Sequence, residues 1–201
     1  MRLFAALELP EDIRHALQEW WYEAGRHLDQ ALWREVPAHL WHVTLAFYGE
    51  VSRQDADDLA EELTACAAAG ATFDLQCAGI GVFPNPARPK VFWAGVDEMN
   101  GGHHLKHLAR CCRQAGHVTV RKHSAKESPF RGHVTMARYK GHGLVLPDRV
   151  WEAMPELPEL TWRVSQICLF QSILRPVGPQ YRRLEAFTLA ARGIDAHRMK
   201  E

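Results

Sequence analysis

HVTLAFYG, residues 42–49, is spelled almost again as HVTMARYK at 133–140; aligned on the histidine, the two stretches share His, Val, Thr, Ala and Tyr. In an extended segment successive side chains alternate faces. His42 and Thr44 therefore point one way and Val43 and Leu45 the other, while His133 and Thr135 oppose Val134 and Met136. One face is polar and the other packs. A single His-x-Thr in a strand commonly marks a cross-strand polar pair, and two homologous hairpins left by duplication are the bland explanation of two copies. That explanation does not say why a polar face with no packing duty repeats along with the apolar one. A hydroxyl donates to a bound oxyanion and an imidazole beside it transfers a proton, so two such strands make a symmetric site.

Around the repeat, strands and helices alternate. Residues 2–8 read as a strand ended by Pro10, and EDIRHALQEWWYEAGRHL, from Glu11, has helical spacing with acidic residues in its first turn. Ser52, three residues before Asp55, opens a helix that Gly70 stops after Ala69. TFDLQCAGIGVF and KVFWAGVD are strands joined across the turn-rich PNPARP, and a helix is expected from about Gly101 to Ala115. HVTVRKH, VSQICLFQSIL and YRRLEAFTLA supply further strand candidates. The expected fold is α+β, residues 1–201 forming a single domain of two similar lobes that each present a repeat strand to a shared cleft.

Composition narrows the function classes. The chain has 201 residues with 47% apolar content, enough for a substantial core. Lys plus Arg equals Asp plus Glu at 24 each, so no broad positive field suggests duplex coating or membrane-surface binding, and an anionic ligand must be held locally. The opening MRLFAALELP is too short to span a membrane and has no signal-peptide cleavage pattern. The five cysteines, odd in number and without C-x-x-C, argue against a disulfide framework and a structural zinc site. A cytoplasmic protein, monomeric and without membrane contact, is expected.

H-x-T-x at 42–45 and again at 133–136 is the signature of the two-histidine phosphoesterases, and the surroundings resemble their RNA 2′,3′-cyclic phosphodiesterase branch, the bacterial 2′-5′ RNA ligase family. The likeness runs through RLFAALELP, WHVTLAFYG, GIGVFPNPARPKVFWAGV, PFRGHVTMAR and ICLFQSILRPVGPQYRRLEAFTL. It departs at Tyr48 and Met136, where Leu is usual, and at Gly132, where Pro commonly precedes the second histidine. Gly132 removes a rigid turn, which predicts a looser approach to His133.

The resemblance implies a bilobal fold of this family, with antiparallel sheets lining a central cleft and helices outside. It implies hydrolysis of RNA 2′,3′-cyclic phosphate ends, tRNA fragments among them, to a 2′-phosphate without metal or other cofactor, and 2′-5′ ligation as the reverse reaction. His42 is then the general acid that protonates the 3′ oxygen and His133 the general base that activates water; the sequence itself does not choose between them. Thr44 and Thr135 hold the non-bridging oxygens, Arg138 adds a phosphate contact and Phe47 stacks on a base. Strict alternation turns Phe47 and Arg138 away from the histidines, so each needs a twist, bulge or strand end to reach the cleft.

Arg88 and Lys90 are weaker candidates for RNA backbone contacts. HHLKH at 103–107 places His103 and His107 four apart on a helix, as a metal site would need, but lacks the glutamate of H-E-x-x-H. Trp20, Trp21, Trp33 and Trp41 could line a stacking surface, though large aromatics more often belong to a core. Two alternatives stand beside the RNA-end phosphodiesterase: a phosphodiesterase for a small cyclic nucleotide, and a non-catalytic module that grips RNA ends.

Overall fold

Five consecutive apolar residues in the first strand, β1 (Arg2–Glu8), follow from its having neighbours on both edges and cover on both faces. In a computed structural model that describes residues 1–120, 129–141, 143, 145–176 and 178–191, Leu3, Ala5 and Leu7 face the main core. Phe4 and Ala6 face the other way, onto a smaller cluster with Cys168 and Phe170.

The chain continues through α1 (Glu11–Ala24), β2 (Trp33–Glu35), β3 (His42–Glu50), α2 (Arg53–Ala69), β4 (Phe73–Phe83) and β5 (Val91–Glu98). Next come α3 (His104–Thr119), β6 (His133–Tyr139), α4 (Asp148–Ala153), β7 (Thr161–Val164), β8 (Gln166–Arg175) and β9 (Gly178–Thr188). The main strand order is β7-β4-β5-β6-β3-β1-β8-β9, with β2 paired to β6 beside β3, and the named strands pair antiparallel. This is an α+β protein in two half-sheets, and they touch at a single register pair, Val43 with Val134.

Helices lie behind the sheet. α1 starts after Pro10, whose missing N–H costs nothing there, and buries Ile13, Leu17, Trp20 and Trp21. The Trp21 ring meets Phe92 of β5 at 5.5 Å. Ser52 caps α2 as its spacing predicts, its hydroxyl accepting from the Asp55 N–H at 3.0 Å. α3 runs four residues further than expected and takes His117, Val118 and Thr119 out of the predicted HVTVRKH strand. Residues 121–123 of that stretch lie outside the described residues. β2, β7 and α4 were not anticipated, because three to six residues carry too little periodicity to read.

Two expectations fail on packing. Cys66 of α2 and Cys111 of α3 form a disulfide with Cα atoms 5.9 Å apart; the odd count left it invisible because helix packing, and no local spacing, brings the pair together. Gly132 does not loosen the approach to His133. A Cβ there would stand 2.3 Å from the Val96 carbonyl, and the Val96 N–H donates to the Gly132 carbonyl at 3.0 Å. A backbone approach this close admits only glycine without a shift.

Candidate active site

Val43 and Val134 face one another across the junction of the two half-sheets, and both are buried in the core. Their flanking residues therefore turn to the opposite face. One step along an antiparallel register sets His42 opposite Thr135 and Thr44 opposite His133. The two histidines are then diagonal neighbours, about 7–8 Å apart along the strands, with a threonine beside each. The pseudo-twofold axis of the repeat passes between the valines.

Matching bulges solve the spacing of Phe47 and Arg138. β1 pairs Ala6 with Thr44 and then Ala5 with Ala46, skipping Leu45. β5 pairs Trp93 with Thr135 and then Phe92 with Ala137, skipping Met136. Each extra residue sits at the fourth position of H-x-T-x and reverses the alternation after it. Leu45 and Ala46, like Met136 and Ala137, both turn to the core, and Phe47 and Arg138 come round to the face of the histidines. Phe47 is left 61% exposed there.

Each imidazole is held the same way. His42 Nδ1–H donates to the Leu40 carbonyl at 2.7 Å and His133 Nδ1–H to the Arg131 carbonyl at 2.8 Å. A carbonyl only accepts, so the bond fixes the proton on Nδ1 and leaves Nε2 as the basic nitrogen. His42 also lies between Phe4, at 4.9 Å, and the edge of Tyr181, at 5.3 Å. Phe83 meets His133 edge-on at 4.9 Å. These aromatic walls desolvate the rings.

Burial lowers the His42 pKa to about 4; the Leu40 carbonyl opposes the shift, and the charges of His133 and Arg138 add to it. His133 is lowered for the same leading reason, with Arg138 and Arg131 contributing. Both rings are neutral near pH 7. An anion between them would favour the imidazolium, so proton uptake would accompany anion binding.

A cavity of about 670 Å³ gathers His42, Thr44, Phe47, His133, Thr135 and Arg138 on one lining. Arg34 of β2 and Arg175 of β8 join them, neither signalled in the sequence because one sits on a three-residue strand and the other at a hairpin end. Lys90 is not on this lining: its ammonium donates to the Gly141 carbonyl at 3.0 Å and lies over Tyr139. Arg88 is likewise absent from it, in the turn closed by Asn85. Trp20, Trp21, Trp33 and Trp41 are buried core residues and offer no stacking surface.

The HHLKH stretch works as a helix start. His103 has non-helical backbone at the N-cap of α3, which breaks the expected pairing with His107 on one helical face. His104 Nδ1–H donates to Glu98 at 2.6 Å, and Glu98 also accepts from the Leu105 N–H at 3.0 Å. Among the described residues no three His, Cys, Asp or Glu side chains gather as a metal site. No described helix is long and apolar enough to cross a membrane.

Residues 9–173 match the profile of the 2′-5′ RNA ligase superfamily. The chain is 33% identical over 193 residues to the RNA 2′,3′-cyclic phosphodiesterase of Thermus thermophilus, covering 94% of this chain and 90% of that protein. A crystal structure from Thermus thermophilus superimposes with a TM-score of 0.78 at 31% identity, covering 96% of this chain and 100% of the other. Escherichia coli LigT, crystallised with 3′-AMP, shares the fold at a TM-score of 0.74 and 24% identity, with 94% and 97% of the two chains covered.

Proposed function

The chain belongs to the 2′-5′ RNA ligase superfamily, and on that premise we propose that it is an RNA 2′,3′-cyclic phosphodiesterase whose cleft opens the cyclic ester to a 2′-phosphate. The observation that carries this reading is the crossed His-Thr quartet about Val43 and Val134, completed by matching bulges that deliver Phe47 and Arg138.

Hydrolysis needs a water activated on one side of phosphorus and a proton delivered to the departing ribose oxygen on the other. His133 Nε2 takes the water proton as the new P–O bond forms. His42, protonated on binding the anion, gives its proton to O3′ as the P–O3′ bond breaks. Thr44 and Thr135 donate to the non-bridging oxygens, and Arg138 offsets the charge that builds on them. Phe47, exposed on the lining, offers its ring to a base. Each proton transfer contributes ~10²–10⁴-fold, and because the histidine pair supplies both, metal-independent turnover is expected.

The choice of His133 as base has support from a second cavity of about 1240 Å³. It borders His133, Thr44, Phe47 and Phe83 but not His42, which leaves space on the His133 side for an attacking water. A 5′-hydroxyl of a second RNA strand in place of that water would form a 2′-5′ linkage by the same step, with O3′ again leaving. The active unit is expected to be a monomer.

A short oligonucleotide ending in a 2′,3′-cyclic phosphate, incubated with and without EDTA, tests the reading. A 2′-phosphate product formed equally in both arms is expected. A 3′-phosphate product would reverse the positions of acid and leaving group, loss in EDTA would replace the histidine mechanism, and an unchanged substrate would overturn the proposal.

A further inference from the structure

Arg34 and Arg138 are direct cross-strand partners of β2 and β6. Like charges placed opposite one another destabilise a sheet, and here both guanidinium groups line one cavity together with that of Arg175. Glu35 is the only carboxylate on the same described lining. Neither Arg34 nor Arg175 has an ion-pair partner among the described residues. A second anionic group in the cavity would relieve this crowding of charge.

The three arginines do not act on the same place. The charge of Arg138 depresses both histidines, whereas neither Arg34 nor Arg175 is among the groups that perturb them. Arg138 therefore acts on the place between the histidines, while Arg34 and Arg175 line the same cavity. Arg34 reaches it from β2 and Arg175 from the end of the β8 strand, near Pro179 and Tyr181.

We infer that Arg34 and Arg175 form a subsite for a second phosphate of the substrate, the phosphate on O5′ of the nucleotide that carries the cyclic ester. In an RNA end this is the phosphodiester to the preceding nucleotide. The inference rests on the reading of the cleft as a cyclic-phosphate site and deepens it: the subsite selects an RNA end over a free nucleoside cyclic phosphate. A guanidinium suits the task, since its planar fork meets two phosphate oxygens at once.

Three substrates test it: adenosine 2′,3′-cyclic phosphate, the same nucleotide with a 5′-phosphate, and a dinucleotide ending in that nucleotide. In the wild type, kcat/KM for the second and third is expected to exceed that for the first by about tenfold or more, the effect of one charge-assisted contact. In Arg34→Ala and Arg175→Ala that ratio falls towards one. Arg182→Ala removes a charge that pairs with Gln171, off the cavity lining, and should leave the ratio as in the wild type.

Equal kcat/KM for all three substrates in the wild type would overturn the subsite, as would a preference unmoved in both arginine variants or lost equally in Arg182→Ala. A gain for the dinucleotide without one for the 5′-phosphorylated nucleotide would also overturn it, since the site would then read the second nucleoside. Calorimetric binding of adenosine 2′-phosphate against adenosine 2′,5′-bisphosphate keeps the test separate from turnover. Tighter binding of the bisphosphate, lost in Arg34→Ala, supports the subsite even if none of the three cyclic substrates is hydrolysed, the result that would refute the proposed reaction. Equal binding refutes the subsite alone.

Discussion

Replacing His42 with Gln should make the protein more resistant to mild acid, although the residue lies at the centre of the cleft. Burial between Phe4 and Tyr181 lowers its pKa from 6.5 to about 4. Above pH 6.5 the ring is neutral in folded and unfolded chains, and the stabilisation is fully present. As pH falls from 6.5 towards 4, the unfolded chain takes up the proton first and stability is lost. At pH 4.5 this amounts to about 2.5 kcal/mol; because the half-buried ring is open to the cleft, solvent reduces it to about 2 kcal/mol. His42→Gln cannot take up that proton, while His133 and every carboxylate still titrate. Urea unfolding of both proteins at pH 7 and pH 4.5 isolates the difference. Wild type should lose about 2 kcal/mol more than the variant between the two pH values. Equal losses would show that His42 is not desolvated in the folded protein, and the case for coupling its protonation to phosphate binding would fall with it.

His42→Ala and His133→Ala should each remove most turnover, ~10²–10⁴-fold, and the double variant should be scarcely worse than the poorer single one because acid and base act as a unit; additive losses in steady-state kinetics would mean they do not cooperate. The pH profile of kcat/KM should be bell-shaped with both limbs below pH 6.5, since both histidines are lowered by burial; an optimum above pH 7 would contradict that shift. Arg138→Lys keeps the charge but loses the planar fork, so it should lower kcat/KM, with Arg138→Ala worse; wild-type rates in both, with unchanged melting, would remove Arg138 from the site. Gly132→Ala forces a Cβ towards the Val96 carbonyl at 2.3 Å and should destabilise the fold by about 1–3 kcal/mol, seen as a lower Tm; an unchanged Tm would show that the approach to β6 relaxes freely.

Much of the site was legible because strand alternation is a local property. His42, Thr44, His133 and Thr135 share one face as soon as the two stretches are extended, and Val43 and Val134 are core by the same rule. The Ser52 cap was legible for a similar reason: its partner, the Asp55 N–H, lies three residues away. Phe47 and Arg138 were different. Their spacing contradicts alternation, and only the partner strands create the bulges at Leu45 and Met136 that bring them back to the cleft. A bulge is a mismatch between two strands, so no single strand encodes it.

The same distinction separates the rest. The sequence by itself determined the shared polar face of the two His-Thr pairs, the apolar faces and the α+β alternation, since each depends on residues within a few positions of one another. Tertiary structure alone decided that Arg34 stands opposite Arg138, that Cys66 meets Cys111, that Trp33 and Trp41 fill the core, and that Gly132 passes against Val96. These are contacts between segments far apart in the chain. They arise when the two half-sheets close on the Val43–Val134 junction and the helices pack behind them, and packing responds to the shape of the whole core rather than to any local pattern of residues.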